Sequence, residues 1–184
     1  MPDEVRELVA RCLGGDGLAV TELVERFHGQ VFGLCYRMLA HRQDAEDVAQ
    51  ESLVRVVRNL HRWDPDRAFR PWLLAIVGNR CRSHLAARRR RATPTAEMEH
   101  VQDRAPPSAD ALAEELRLAL GTLRDEHRQA FVLFHEQHLN YAEIAEAMNS
   151  PIGTIKTWVH RARRELVDRL RRRGAIEEAH DAVR

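Results

Sequence analysis

The sequence predicts an all-α protein of two small helical domains joined by a flexible linker, and three observations carry that expectation. Apolar residues recur at steps of three and four along most of the chain, and strand-like alternation lasts nowhere. Glycine and proline gather at a few breaks between the periodic stretches. The segment from Ala92 to Ala111, ATPTAEMEHVQDRAPPSADA, holds three prolines and no aromatic residue, the composition of a tether rather than of a packed element. The expected divisions are a first domain over 1–91, a linker over 92–111, a second domain over 112–173, and a tail over 174–184 read as a frayed helix end.

The chain has 184 residues, 44% of them hydrophobic, which suffices for modest cores without requiring one large one. The net charge of +1 averages 29 basic and 28 acidic residues, so their placement says more than their total. Cys12, Cys35 and Cys81 are widely spaced and odd in number. They suggest neither a disulfide framework nor a CxxC site, and they fit a reducing cytoplasm. No apolar run approaches the ~20 residues of a bilayer span. The stretch MPDEVRELVARCLGG is too charged for a signal peptide. A cytoplasmic protein with no membrane insertion is expected.

In the first domain, LGGDG breaks the chain before a helix whose apolar stripe is Val20, Leu23, Phe27, Val31, Leu34 and Met38. In HRQDAEDVAQESLVRVVRNLHRW the stripe is Ala45, Ala49, Leu53, Val56 and Leu60, and Asp44, Asp47 and Glu51 fall almost opposite. That acidic ridge does not suit DNA. It is either a solvated surface or a docking face for a basic protein surface. After the break DPDRAFRP, a further helix carries Leu73, Leu74, Val77, Cys81 and Leu85 on one face and Trp72, Asn79 and Ser83 on another. Trp63, Phe69 and Trp72 stand among Arg62, Arg67, Arg70, Arg80, Arg82 and the run Arg88 to Arg91. Aromatics interleaved with arginine suit single-stranded DNA, on which bases stack and phosphates pair; packing between helices is the other role such tryptophans take.

In the second domain, YAEIAEAMNSPIGTIKTWVHRARREL has the form of a helix-turn-helix. Tyr141, Ile144, Ala145 and Met148 form the apolar face of its first helix, and Asn149 suits the left-handed turn. Ser150 followed by Pro151 is a helix start, with serine as cap and proline at the first helical position. Ile152, Ile155, Val159, Ala162, Leu166 and Leu170 then make one stripe, while Gly153, Thr157, His160, Arg161 and Arg164 lie roughly opposite. Such a helix fits a major groove. Between Gly153 and Arg173 there are eight basic residues against Glu165 and Asp168, a balance that attracts phosphates. Trp158, at the edge of the stripe, is read as packing.

The order DAEDVAQES, FRPWLLAIVGNRCR, a tether, and LGTLRDEHRQAFVLFHEQHLNYAEIAEAMNSPIGTIKTWVHRARREL resembles the bacterial RNA polymerase sigma factors of the extracytoplasmic-function (ECF) group, over roughly residues 20 to 172. The resemblance implies a chain that binds core RNA polymerase and directs it to promoters, engaging the minus-ten element with its first domain and the minus-thirty-five element with its second. It assigns Asp44, Asp47, Gln50 and Glu51 to core polymerase. Trp72, Asn79 and Arg80 fall to opening and reading the minus-ten element, with Arg62, Arg67 and Arg70 in the nearby loop region that captures a flipped base. Gly153, Thr154, Lys156, Thr157, His160, Arg161 and Arg164 fall to the minus-thirty-five element. Members of the group are commonly held inactive by an anti-sigma factor. This chain departs from the family pattern at Ser83, Ala86, Ala87, Arg124, Asn149 and Trp158.

Two other classes fit less of the chain. A stand-alone helix-turn-helix regulator of the response-regulator type needs a receiver of alternating strands and helices, which the first domain does not offer. An enzyme needs a catalytic set. His135 and His138 in HEQH, and Cys81 with His84, are one turn apart but lack the HExxH pairing of a metalloprotease. No catalytic residue, metal or cofactor is expected.

Overall fold

The computed structural model describes residues 2–91 and 109–173. Eight α-helices and one 3₁₀ turn run through them, with no strand among the described residues. The first group comprises α1 (Pro2–Leu13), α2 (Gly17–Leu39), α3 (Arg42–Arg58) and α4 (Phe69–Arg91), with the 3₁₀ turn Leu60–Arg62 before α4. The second comprises α5 (Ala109–Gly121), α6 (Asp125–His135), α7 (Tyr141–Ala147) and α8 (Ile152–Arg172). The expected linker lies outside the described residues over 92–108, and its last three positions are helical because α5 already begins at Ala109. The tail over 174–184 lies outside them as well.

Local chemistry sets the breaks. Asp16 caps α2 by accepting from the Leu18 and Ala19 amides at 2.9 and 3.1 Å, satisfying donors that a helix start leaves open. Arg11 reaches the same carboxylate at 2.8 Å and, by that bond, holds Asp16 below the usual carboxylate range. Ala40 ends α2 in the left-handed region at φ 56°. Asn140 and Glu143 form a reciprocal capping box at the start of α7. Asn149 takes the expected left-handed turn, at φ 48°.

The start of α8 differs from the expected cap. Pro151 is itself the cap residue, its carbonyl accepting from Thr154 and Ile155. The Ser150 hydroxyl turns back to the Met148 carbonyl at 3.2 Å instead. The Ser150 amide closes the turn on the Ala145 carbonyl, and the Met148 carbonyl is the partner of its hydroxyl.

In the first group, α2, α3 and α4 pack mutually, burying Leu34, Leu73 and Leu74 completely. Each such side chain contributes about 1.5–3 kcal/mol. Cys35 and Cys81 meet inside this core with their sulfurs 3.7 Å apart; contact with Cys81 and burial push the Cys35 thiol up, so it stays neutral. In the second group α6 and α8 pack closely, with α5 and α7 at their sides. Ile155, Val159, Ala162, Leu166 and Leu170 are buried as the stripe predicts, but Ile152 is 46% exposed. It stands at the first position of the helix, ahead of the residues that pack, and joins the outward face.

The two groups also pack on each other, α4 against α7 and α2 against α5 and α6. Arg128 of α6 is central to this contact. It is 5% exposed and donates to the Met38 carbonyl of α2 as well as to the Gly121 and Leu123 carbonyls at 2.7 and 3.1 Å. Arg117 of α5 likewise donates to the Ala40 carbonyl at 2.7 Å.

Candidate nucleic-acid interface

Three surfaces hold the residues singled out from the sequence. The first is the outer face of α8. Gly153, Lys156, Thr157, His160, Arg161 and Arg164 are exposed and Thr154 is half-buried. The buried stripe on the other side fixes this face outward. Thr157 donates its hydroxyl to the Gly153 carbonyl at 2.9 Å, and Lys156 lies 5.8 Å from the centre of the Tyr141 ring. That cation-π contact ties α8 to the helix before it. None of Lys156, Arg161 and Arg164 has an ion-pair partner among the described residues, so their charge is available to phosphate. Trp158 is half-buried beside the His127 ring, 6.4 Å between centroids, a packing role as expected.

The second surface gathers around the loop before α4. Trp63, Phe69 and Trp72 form an aromatic chain, with Trp63 edge-on to Phe69 at 5.3 Å and Phe69 at 5.5 Å from Trp72. Trp63 and Phe69 are buried and Trp72 is half-buried, so the first two are core and the third is core with one open side. Arg62, Arg67 and Trp72 line a cleft of about 490 Å³. The structure does not bring the whole predicted set there. Arg70 is half-buried and turned to Gln137 at 3.2 Å. Asn79, exposed further along α4, accepts from Arg82. Arg80 leaves the cleft entirely and bonds Glu51.

The third surface is the acidic ridge of α3. Asp47, Gln50 and Glu51 are exposed and Asp44 is half-buried. Asp44 faces His84 at 3.6 Å and Arg88 at 3.5 Å from α4, so the basic end of α4 neutralises one end of the ridge. Asp47 has no ion-pair partner among the described residues. The histidines of HEQH serve local structure: His135 packs at a tilt against Phe131 and edge-on to Phe134, burial lowering its proton affinity, and His138 takes a left-handed turn at φ 51°.

Sequence reasoning did not foresee that the cleft is walled on one side by the second group. Glu143, Glu146 and Ala147 of α7 complete its lining, and Glu146 pairs with Arg67. Contacts between distant helices leave no periodic mark in a sequence. The only local hint is that Glu143 and Glu146 sit one turn apart beside the arginine-rich helix-turn-helix.

Residues 23–91 match the family model for Sigma-70 region 2, and residues 113–166 match that for Sigma-70, region 4. The chain is 32% identical to the RNA polymerase sigma-H factor of Pseudomonas aeruginosa, over 91% of this chain and 93% of that protein. It is 29% identical to the ECF RNA polymerase sigma factor SigW of Bacillus subtilis, over 91% and 97% respectively. Among solved structures, CnrH in complex with the cytosolic domain of CnrY is similar at a TM-score of 0.67 and 26% identity, covering 90% of this chain and 96% of that one. The sigma factor RpoE in complex with the anti-sigma factor NepR from Bartonella quintana shares the fold at a TM-score of 0.67 and 20% identity, over 82% and 96%.

Proposed function

This chain belongs to the RNA polymerase sigma factors of the ECF group, and we propose that it works by a division of labour among the three surfaces just described. Its function is promoter-specific transcription initiation. Sigma factors are regulatory proteins, and the chemistry of RNA synthesis belongs to the polymerase they join.

The acidic ridge of α3 docks core RNA polymerase through Asp44, Asp47, Gln50 and Glu51. Opposite charge steers such an encounter and fixes its register. The aromatic and arginine cleft receives melted minus-ten DNA: Trp72 offers a ring to an unstacked base, Arg62, Arg67 and Arg70 meet phosphate, and Asn79 and Arg80 extend the contact along α4. The outer face of α8, from Gly153 and Thr154 through Lys156, Thr157, His160, Arg161 and Arg164, reads the minus-thirty-five duplex from the major groove. Residues 1–91 and 112–173 act as the two DNA-binding domains, and 92–111 spans the distance between the elements. The cytoplasm is where such a partnership takes place.

One observation carries this reading: a buried apolar stripe on α8 with a basic face behind it whose Lys156, Arg161 and Arg164 have no ion-pair partner among the described residues, on the same chain as an acidic helix and an arginine-lined cleft. A regulatory partner is part of the proposal too, since the two solved structures named above are complexes with a second protein and one of those partners is named an anti-sigma factor. Co-elution of the purified chain with core polymerase, followed by footprinting of the complex on genomic promoter fragments, tests the reading. Protection at two elements near one start site supports it. A chain that elutes apart from the polymerase refutes it.

A further inference from the structure

We infer that Arg6 of α1 is a positioning residue for minus-ten recognition: its guanidinium grips the Pro65 carbonyl and so holds the turn that carries Arg67 into the lining of the cleft. This rests on the assignment of the cleft to melted DNA. The helix that supplies Arg6 ends at Leu13, ahead of residue 23, where the match to Sigma-70 region 2 begins.

Asp64 builds the turn. Its carbonyl accepts from the Arg67 amide and its Oδ1 from the Asp66 amide, both at 3.0 Å, while its Oδ2 stands 3.4 Å from Nε of Arg67. Pro65 occupies the second position of this four-residue turn, where its fixed φ is favoured. The turn's own bonds do not use the Pro65 carbonyl. Arg6 donates to it through Nε at 2.6 Å, from 59 residues away in sequence. A charged donor makes such a bond stronger than a neutral one does. The terminal nitrogens of Arg6 lie farther from carboxylates, 3.7 Å from Asp3 and 3.9 Å from Asp66. Exposed ion pairs of that length contribute little, so the carbonyl bond is the principal hold.

The helix behind that bond is itself anchored. Leu8 and Val9 of α1 are buried, the helix packs on α2 and on the 3₁₀ turn Leu60–Arg62, and Glu4 meets Arg26 of α2 at 3.2 Å. Arg62, Trp63, Asp64 and Arg67 line the cleft, whereas Pro65 and Asp66, the two residues that Arg6 approaches, are not part of its lining. Arg6 therefore acts on the loop and does not touch what the cleft holds. A flipped base regains its lost stacking only in a pocket whose groups are already in place. A loop that must be ordered on binding gives up part of that gain to conformational entropy. By fixing the turn beforehand, Arg6 makes discrimination among bases depend on a residue of α1.

The test uses holoenzyme assembled from core polymerase and each full-length variant. It is offered a pool of single-stranded DNA randomised over a short central stretch, and the bound strands are sequenced. The wild type should enrich one short sequence. Arg6→Ala should flatten that enrichment by about two- to tenfold, the range that one net hydrogen bond commands. Arg6→Lys, which keeps a charged donor, should restore part of it. Recovery with core polymerase and unfolding in urea should stay close to wild type for both, since the Arg6 side chain is 46% exposed. Arg26→Ala, which frees Glu4 but leaves the bond to Pro65 in place, should enrich as the wild type does. Equal enrichment by Arg6→Ala and wild type overturns the inference and leaves the assignment of the cleft standing. A lysine variant no better than alanine also overturns it, as does a loss in Arg26→Ala as deep as in Arg6→Ala, because either makes Arg6 a structural residue. A wild-type holoenzyme that enriches no sequence strikes the assignment of the cleft itself, and the inference with it.

Discussion

Arg80 of α4 donates through Nε and Nη2 to a single carboxylate oxygen, Oε2 of Glu51 in α3, with the Nε bond at 2.7 Å. A residue proposed to touch minus-ten DNA thus rests on one proposed to touch polymerase. The pair is partly exposed, its side chains 33% and 54% open to solvent, and pairs of that kind contribute only about 0–1 kcal/mol to stability. Arg80→Ala should therefore lower the unfolding free energy, read from urea titration, by less than about 1 kcal/mol while reducing open-complex formation, measured by permanganate reactivity of melted thymines. A large loss of stability with normal melting would make Arg80 a structural residue instead.

Asp47 differs from its neighbours on the ridge, because Asp44 and Glu51 already have basic partners on α4 and Asp47 has none among the described residues. Its charge is the freest to meet a basic surface. Asp47→Arg should weaken binding to core polymerase by about tenfold or more, roughly 1.4 kcal/mol, with the fold intact since the side chain is exposed. A pull-down with core polymerase gives the comparison, and equal recovery of variant and wild type removes Asp47 from the interface.

Replacing Arg161 and Arg164 together by alanine should abolish protection of the upstream element and leave polymerase binding unchanged. If both contact phosphate, the slope of log affinity against log salt should fall by about two. An unchanged slope in duplex-DNA titrations would place these arginines away from the DNA.

The helices and their inward faces were legible because they depend on local periodicity. The stripe Ala45, Ala49, Leu53, Val56 and Leu60 is buried throughout, as are Leu73, Leu74, Val77, Cys81 and Leu85. The exposed basic face of α8 follows from the same counting. Helix ends were less legible: Ser150 and Pro151 have the composition of a capped start, but the turn's own hydrogen bonds assign the serine elsewhere. Long-range polar contacts were not legible at all. Arg128 and Gln129 are polar residues that the sequence analysis did not single out, yet both are buried, because their surroundings are helices far away in sequence. For the same reason the acidic ridge could be assigned to polymerase only through the family resemblance.

Glu114 offers a test of the strut between the two groups. It accepts from Arg117 through a 2.6 Å bond from Nε and a second from Nη2, and Arg117 in turn reaches the Ala40 carbonyl. The hydrogen bond from Arg117 holds the Glu114 carboxyl below its ordinary value. The folded chain therefore binds fewer protons there than the unfolded chain, so the contribution is full above the ordinary glutamate range and fades as pH falls through and below it. The difference in urea midpoint between wild type and Glu114→Gln should hold steady near neutrality and vanish in acid. A difference of constant size at all pH values would mean that the charge of Glu114 is not what matters.

Run-off transcription with core polymerase on genomic fragments tests the central division of labour most directly. With the wild-type chain, discrete transcripts should start from a small set of sites; Asp47→Arg should reduce all of them alike through weaker polymerase binding, and the Arg161 and Arg164 replacement should remove those that depend on the upstream element. Transcripts of the same sizes and amounts from core polymerase with and without the chain would contradict the account.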